Sequence, residues 1–356
     1  MARHSSDAKS GSADRKPCAG GGKGGRHDQP GAVSPESPGL PDEGFNAAEQ
    51  AIRSRVLRAI ALNRVPGLHF AGHFLDIQCL DIAGETARFL VPDGPHGRDA
   101  DGTASIVSLG VLADNVLATP TRVGRSSGAR LGTVYLQLQF TGAPMVGDLS
   151  ADARLLGRSE STVRQKAFSS ASFYANGKPI AHGSGEFVLL DAPPGVTLAP
   201  RPWERGASAR EVAGEIGTLE PHERAILEAC DAALARTTPQ ASFIQHFWGD
   251  LPRRRAQGAA SRVAIGPHIG NRVGHVQGGI LFGLAAMCAN AAAPPGMLLS
   301  NAAAWYISPG CGASLAVRSR VIHTGRTMAV SRTEITAAGG ERVLEAVTQH
   351  MLGKGD

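Results

Sequence analysis

Aromatic side chains are scarce in this chain. Phe, Trp and Tyr make up 5% of it, against 42% for apolar residues as a whole, so any core must rest on Leu, Val, Ile and Ala. Charge of one sign is missing as a pattern too. The 36 Lys and Arg face 31 Asp and Glu, and much of the small basic excess lies at the N-terminus, in Arg3, Lys9, Arg15, Lys16, Lys23 and Arg26. The remainder is close to balanced, so no nucleic-acid face is expected, although a slightly basic body tolerates an anionic ligand. No apolar run reaches the ~18–20 residues of a membrane span, and the N-terminus has no apolar stretch of the kind a secretory signal carries. The five cysteines, at 18, 79, 230, 288 and 311, show neither metal-ligand spacing nor a paired framework. These absences lead to the expectation of a cytoplasmic protein in a reducing compartment, with no structural metal and no membrane span.

Residues 1–44 lack large apolar side chains almost entirely. Such a segment cannot offset its ordering entropy by burial, and it is expected to be a disordered tail. It contains Gly20-Gly21-Gly22-Lys23-Gly24-Gly25, a formal match to G-x-G-x-x-G. No strand precedes it and no helix follows, so the dinucleotide-binding reading fails on context.

What is present is a pattern that occurs twice. An amphipathic helix over 47–62 precedes strand-like segments at 74–82 and 85–91. An apolar helix follows over 104–118, and then four strand-like segments from 133 to 190, the last two joined at Asn176-Gly177, a hairpin-turn dipeptide. The Pro-rich stretch after 190 reads as a linker. A helix over 220–236, a strand at 259–265, an apolar helix from 278 and four strand-like segments from 300 to 352 repeat the order. A helix that is apolar all round must be wrapped, and a curved antiparallel sheet does this. The expected class is therefore α+β, two repeats that each wrap a central apolar helix, joined edge to edge. The expected boundaries are 1–44 for the tail, 45–195 and 219–353 for the repeats, and 196–218 for the linker.

The second apolar helix opens on Gly278-Gly279, although glycine is among the poorest helix formers. The first turn of a helix has N–H groups with no intrahelical partner, at the positive end of the helix dipole. A glycine there lets a carbonyl oxygen approach the backbone closely. That arrangement is an oxyanion hole. The alternative is that the pair lets two helices pack closely. In the first repeat the equivalent helix has Ile106 and Val107 at the glycine positions but carries Asp114, the single charged residue between Thr103 and Thr121. Buried, its pKa should rise, which suits a general base near neutrality. A structural acid paired with Arg122 or Arg125 is the alternative.

Residues 271–290 resemble the glycine-loop signature of the hot-dog fold acyl-CoA thioesterases of the phenylacetyl-CoA thioesterase type, N-x-x-G-x-x-H-G-G-x-x-x-x-L-A-D. Here it reads Asn271, Gly274, Gln277, Gly278, Gly279, Leu284, Ala285 and Ala286. Residues 133–161 also look like the strands that follow that helix. The resemblance covers about 45–195 and 219–353 and implies a double hot dog. It implies a site built across the repeat interface, with the glycine loop from one hot dog and the acid from the other. Aligned by their Leu-Ala steps, Ala286 falls on Asp114, so each repeat lacks what the other kept. One composite site, Asp114 with Gly278, would then survive. The resemblance further implies a water-orienting hydroxyl at Thr133, an amide donor at Gln277, a ligand- or water-positioning role for Asn271, and substrate contact at Gly279. Thr133 could equally be a plain strand residue and Asn271 a turn former. His275 and His323 have no evident partner.

Function follows as an expectation: an acyl thioesterase acting on acyl-CoA or another acyl thioester, with no cofactor and no metal, and with further pairing into a homodimer of double hot dogs. Two other readings stand beside it. One is a non-catalytic acyl-CoA or lipid-binding module; the other is a hot-dog hydratase or dehydratase, which wants a His–acid pair that neither helix supplies. Gly124-Arg125-Ser126-Ser127-Gly128 fits G-x-S-x-G but follows a helix and precedes a strand, the reverse of a nucleophile elbow.

Overall fold

The computed structural model describes residues 44–124, 130–159, 164–190, 198–205 and 216–353, all within one compact unit. The expected tail up to residue 43, residues 125–128 of the G-x-S-x-G stretch, and most of the expected linker lie outside the described residues.

Each half runs through the same elements in the same order. The first has α1 (Ala47–Asn63), α2 (Phe70–Phe74), β1 (Gln78–Ala83), β2 (Thr86–Val91), α3 (Ile106–Thr121), β3 (Arg130–Phe140), β4 (Leu149–Arg158), β5 (Lys166–Ala175) and β6 (Lys178–Leu190). The second has α4 (Pro221–Leu234), α5 (Phe243–Phe247), β7 (Arg253–Arg255), β8 (Gly258–Ala264), α6 (Gly278–Ala292), β9 (Met297–Tyr306), β10 (Ser314–Thr324), β11 (Met328–Ala337) and β12 (Arg342–Leu352). One twelve-stranded sheet results, in the order β1-β2-β4-β5-β6-β3-β9-β12-β11-β10-β8-β7. Its order reads the same from either end once equivalent strands are matched. The halves meet where β3 pairs antiparallel with β9, around Gln137 opposite Ala303. This is the double hot-dog architecture, α+β as the periodicities imply.

Local chemistry explains the boundaries. Asn46 caps α1 by accepting from the Ala48 and Glu49 N–H groups, and Glu49 returns the bond to the Asn46 N–H. Asn176 and Gly177 both have positive φ, 47° and 78°, as a two-residue hairpin turn requires. The strand expected over 74–82 begins only at Gln78, because residues 70–74 form a helical turn. There the rare aromatics are concentrated. Phe70 and Phe74 of α2 pack against Phe247 of α5, with Phe74 also against Phe243 and Trp248. Ion pairs of Arg53 with Asp231 and of Arg64 with Glu223 tie α1 to α4 beside this cluster.

The two apolar helices, α3 and α6, lie against each other and run antiparallel. A β-carbon on Gly110 would sit 2.4 Å from the Gly279 carbonyl oxygen; one on Gly279, 2.1 Å from the Gly110 oxygen; one on Gly283, 2.4 Å from the Val107 Cα. Backbone meets backbone at this crossing, and only glycine permits it. Leu109, Val111, Leu112, Leu284, Ala285 and Ala286 are fully or almost fully buried around it.

Cys79, Cys230 and Cys288 are free thiols, whereas Cys311 is disulfide-bonded. The spacing of the five cysteines carries no sign of that bond. Among the described residues no cluster of His, Cys, Asp and Glu could hold a metal ion, and no helix is long and apolar enough to cross a membrane.

Candidate active site

The antiparallel crossing of α3 and α6 puts the middle of one helix beside the start of the other. Asp114 of α3 therefore meets Gly278, the first residue of α6. A β-carbon on Gly278 would lie 3.1 Å from Asp114 Oδ1 and 3.2 Å from Oδ2. Two neighbouring glycines thus do different work. Gly278 leaves space at the carboxylate. Gly279, expected to contact substrate, is buried against Gly110 and Val111. The close-packing reading of the pair therefore holds for Gly279.

The carboxylate is held from several sides. The Thr133 hydroxyl of β3 donates to Asp114 Oδ1 at 2.7 Å, and the Gln277 side-chain amide donates to Oδ2 at 2.7 Å. The Gly279 backbone N–H also faces it. Gln277 is fixed at its other end, its Oε1 accepting from the Ile280 N–H at 2.8 Å as the N-cap of α6. One N–H of the Gln277 amide is therefore directed to the acid. With Gly279 facing Asp114 and Ile280 bonded to the cap, Gly278 has the remaining N–H of the first turn. Tyr306 of β9 holds the following peptide, its hydroxyl donating to the Gly278 carbonyl at 2.8 Å.

Burial raises the Asp114 pKa above the ordinary carboxylate value. The Thr133 hydrogen bond, the nearby Arg201 charge, the Gly279 N–H and Arg122 act in the opposite direction without overcoming it. Among the described residues Asp114 makes no ion pair; Arg125 lies outside them. Burial, reinforced by Asp114, likewise raises the Tyr306 pKa well above 10, so it stays a hydroxyl donor.

Asn271 makes its hydrogen bonds within its own turn. Its Oδ1 accepts from the Val273 and His275 N–H groups at 3.0 and 3.1 Å, shaping the turn that leads into α6. His275, on the same turn, accepts from Arg130 at Nδ1, 3.3 Å away. Burial and the Arg130 charge lower its pKa.

The pseudo-equivalent position has none of these groups. Asp114 corresponds to Ala286, Gly278 to Ile106, and the cap Gln277 to Ser105. A strand irregularity fixes the partner of Thr133. β3 carries an extra residue between Thr133 and Tyr135, and β9 carries one between Leu299 and Asn301. Matching the two bulges puts Leu299 at the Thr133 position and Phe140 at that of Tyr306.

Two residues at the site escaped sequence reading. Tyr306 is one. The other is Arg201, from the stretch between the halves, whose guanidinium lies over the Trp203 ring at 5.6 Å. No periodicity or motif marks either.

No family model matches this chain, and no curated protein does. Solved structures do resemble it. An acyl-ACP thioesterase from Bacteroides thetaiotaomicron is 10% identical over 75% of this chain and 98% of its own, with a TM-score of 0.45. A 12:0-ACP thioesterase from Umbellularia californica is 12% identical over 75% of this chain and 94% of its own, with a TM-score of 0.44. A Bacillus halodurans protein crystallised with CoA matches 39% of this chain and 98% of its own at 21% identity and a TM-score of 0.35. Likenesses this distant transfer no role to any residue.

Proposed function

We propose that the chain is a thioester hydrolase, acting on an acyl-CoA or a related acyl thioester at one composite site between the repeats. The observation that carries this reading is the seating of a raised-pKa carboxylate, Asp114, directly against the glycine N-terminus of the facing helix. Asp114 accepts a proton from water, and the water oxygen attacks the thioester carbonyl carbon. Thr133, already bonded to the carboxylate, helps hold that water. Negative charge that develops on the carbonyl oxygen falls to the Gly278 N–H at the positive end of α6. When the tetrahedral intermediate collapses, the C–S bond breaks and the proton passes from Asp114 to the leaving thiolate. The products are a carboxylic acid and a free thiol. No covalent nucleophile and no metal is needed.

The loss of all five groups from the equivalent position supports a single working site per chain. In this reading residues 45–195 supply the acid and 219–353 the oxyanion donor, with 196–218 between them. The test is turnover of a panel of acyl-CoA thioesters followed by thiol release. Sustained release above the rate in buffer supports the reading. Tight binding of the panel without release would instead indicate a binding module.

A further inference from the structure

Arg201 is buried, with 9% of its surface exposed, and its Nε and Nη1 have no hydrogen-bond partner among the described residues. Buried cations are normally paired, because removing a guanidinium from water is costly unless an anion meets it. Nearby carboxylates do not do so. Asp114 already accepts from Thr133 and Gln277, and Glu204 accepts from the Arg201 backbone N–H at 2.9 Å. Arg122 and Arg272 lie close enough to depress the Arg201 pKa further, after burial itself. Arg272 stands on the wall of a cavity of about 530 Å³ that His69, Ala199 and Asn271 also line. It is tied to the Arg201 segment through a bond to the Ala199 carbonyl at 2.5 Å.

We propose that Arg201, with Arg272 beside it, receives an anionic group on the acyl portion of the substrate, so that the preferred substrate is the monothioester of a dicarboxylic acid. Position favours the acyl portion over the coenzyme phosphates. Arg201 stacks on Trp203, which meets the fully buried Phe89 edge-on at 5.0 Å. A small planar carboxylate suits so enclosed a guanidinium, whereas a diphosphate needs an open groove. The Arg201 charge also reaches Asp114 and His69, which puts the anion's end of the acyl group near the acid. His69 itself stays neutral: burial first, and then Arg201, lower its pKa to about 3. It is therefore no rival cation.

This inference rests on the thioester-site reading but is tested by binding, so that the two can fail separately. Carba analogues, with CH2 in place of sulfur, of succinyl-, glutaryl- and adipoyl-CoA are titrated calorimetrically against the butyryl, valeryl and hexanoyl counterparts. At least one carboxylated member should bind the wild-type chain about tenfold or more tighter than its neutral match. Arg201→Gln should weaken that member by roughly 10²-fold, the scale of a lost buried charge pair, and its neutral match by far less. Gln carries no charge to bury, so loss of folding is not expected; Arg201→Met is the second variant. Pantetheine analogues, which lack the nucleotide phosphates, should keep the preference. Equal affinities within every pair, no binding of any analogue, or equal weakening of carboxylated and neutral members by Arg201→Gln would overturn the proposal. The last outcome would assign Arg201 to the coenzyme phosphates. A retained preference in a protein that releases no thiol would leave this inference standing and remove the hydrolase reading.

Discussion

Gln277 donates its side-chain amide to the Asp114 carboxylate at 2.7 Å, across 163 positions of sequence and between the two halves of the chain. The same side chain caps α6 through the Ile280 N–H. One residue therefore sets both the start of the glycine helix and the orientation of the acid that faces it. Gln277→Ala should leave the fold with a weakened cap, a loss of about 1 kcal/mol, yet reduce turnover well beyond what that loss explains. Chemical denaturation and steady-state kinetics on the same preparation separate the two effects.

The two glycines should part company under mutation. Gly279→Ala drives a β-carbon into the Gly110 carbonyl and must spread α3 from α6, a loss of about 1–3 kcal/mol of stability. Gly278→Ala meets the Asp114 carboxylate at 3.1–3.2 Å. It displaces a side chain, not a helix. Its melting temperature should stay near wild type while turnover falls, by up to about 10²-fold if the acid moves by an ångström. Thermal melts paired with kcat for each variant check this; the reverse pattern would exchange the roles assigned to the two residues.

Thr133→Val removes a hydrogen bond that favours the ionised form of Asp114. Because the general base must be ionised to act, activity rises with pH through the Asp114 pKa. The acid limb of the pH–rate profile should already lie above the ordinary carboxylate range, and in Thr133→Val it should move further up. An unmoved limb would detach Thr133 from the acid.

Acid should destabilise the fold as well. His69, His73, His96, His268 and His350 are buried, and burial, the leading cause in each case, depresses their pKa values to about 3 for His69 and about 4 for the others. The unfolded chain binds protons at these residues below about pH 6.5, while the folded chain does not until near pH 4. Stability is therefore full above 6.5 and is lost as pH falls toward 4. Melting temperatures recorded from pH 7.5 to 4.5 should decline steadily over the lower part of that range.

The acid, the glycine loop and their complementary loss were legible in the sequence, because a repeat lets each half serve as the other's reference. Other parts had no such reference. Gly278 and Gly279 look alike in a string, and only the helix crossing distinguishes them. The counterpart of Thr133 depended on a bulge, which shifts register by one residue without a sequence mark. Helices α2 and α5 span five residues each, too few for a period to show, so the aromatic cluster they build was read partly as strand. Arg201 lies in a Pro-rich stretch whose composition says only that it connects. Asn271 carries two readings in the sequence, since the same side chain can shape a turn or face a ligand.

The most direct measurement is the turnover of Asp114→Asn on the best thioester of the panel, with binding of a carba analogue measured in parallel. Asparagine keeps the shape of the side chain and removes the base. The expected result is a fall in kcat of about 10²–10⁴-fold with analogue affinity changed little. As a control, Ala286→Asp in that background should restore nothing, since Ile106 and Leu299 offer no partner; it should destabilise the fold by burying a carboxyl group without a hydrogen bond. Hydrolysis by Asp114→Asn at the wild-type rate would contradict the assignment of Asp114 as the base and, with it, the composite site.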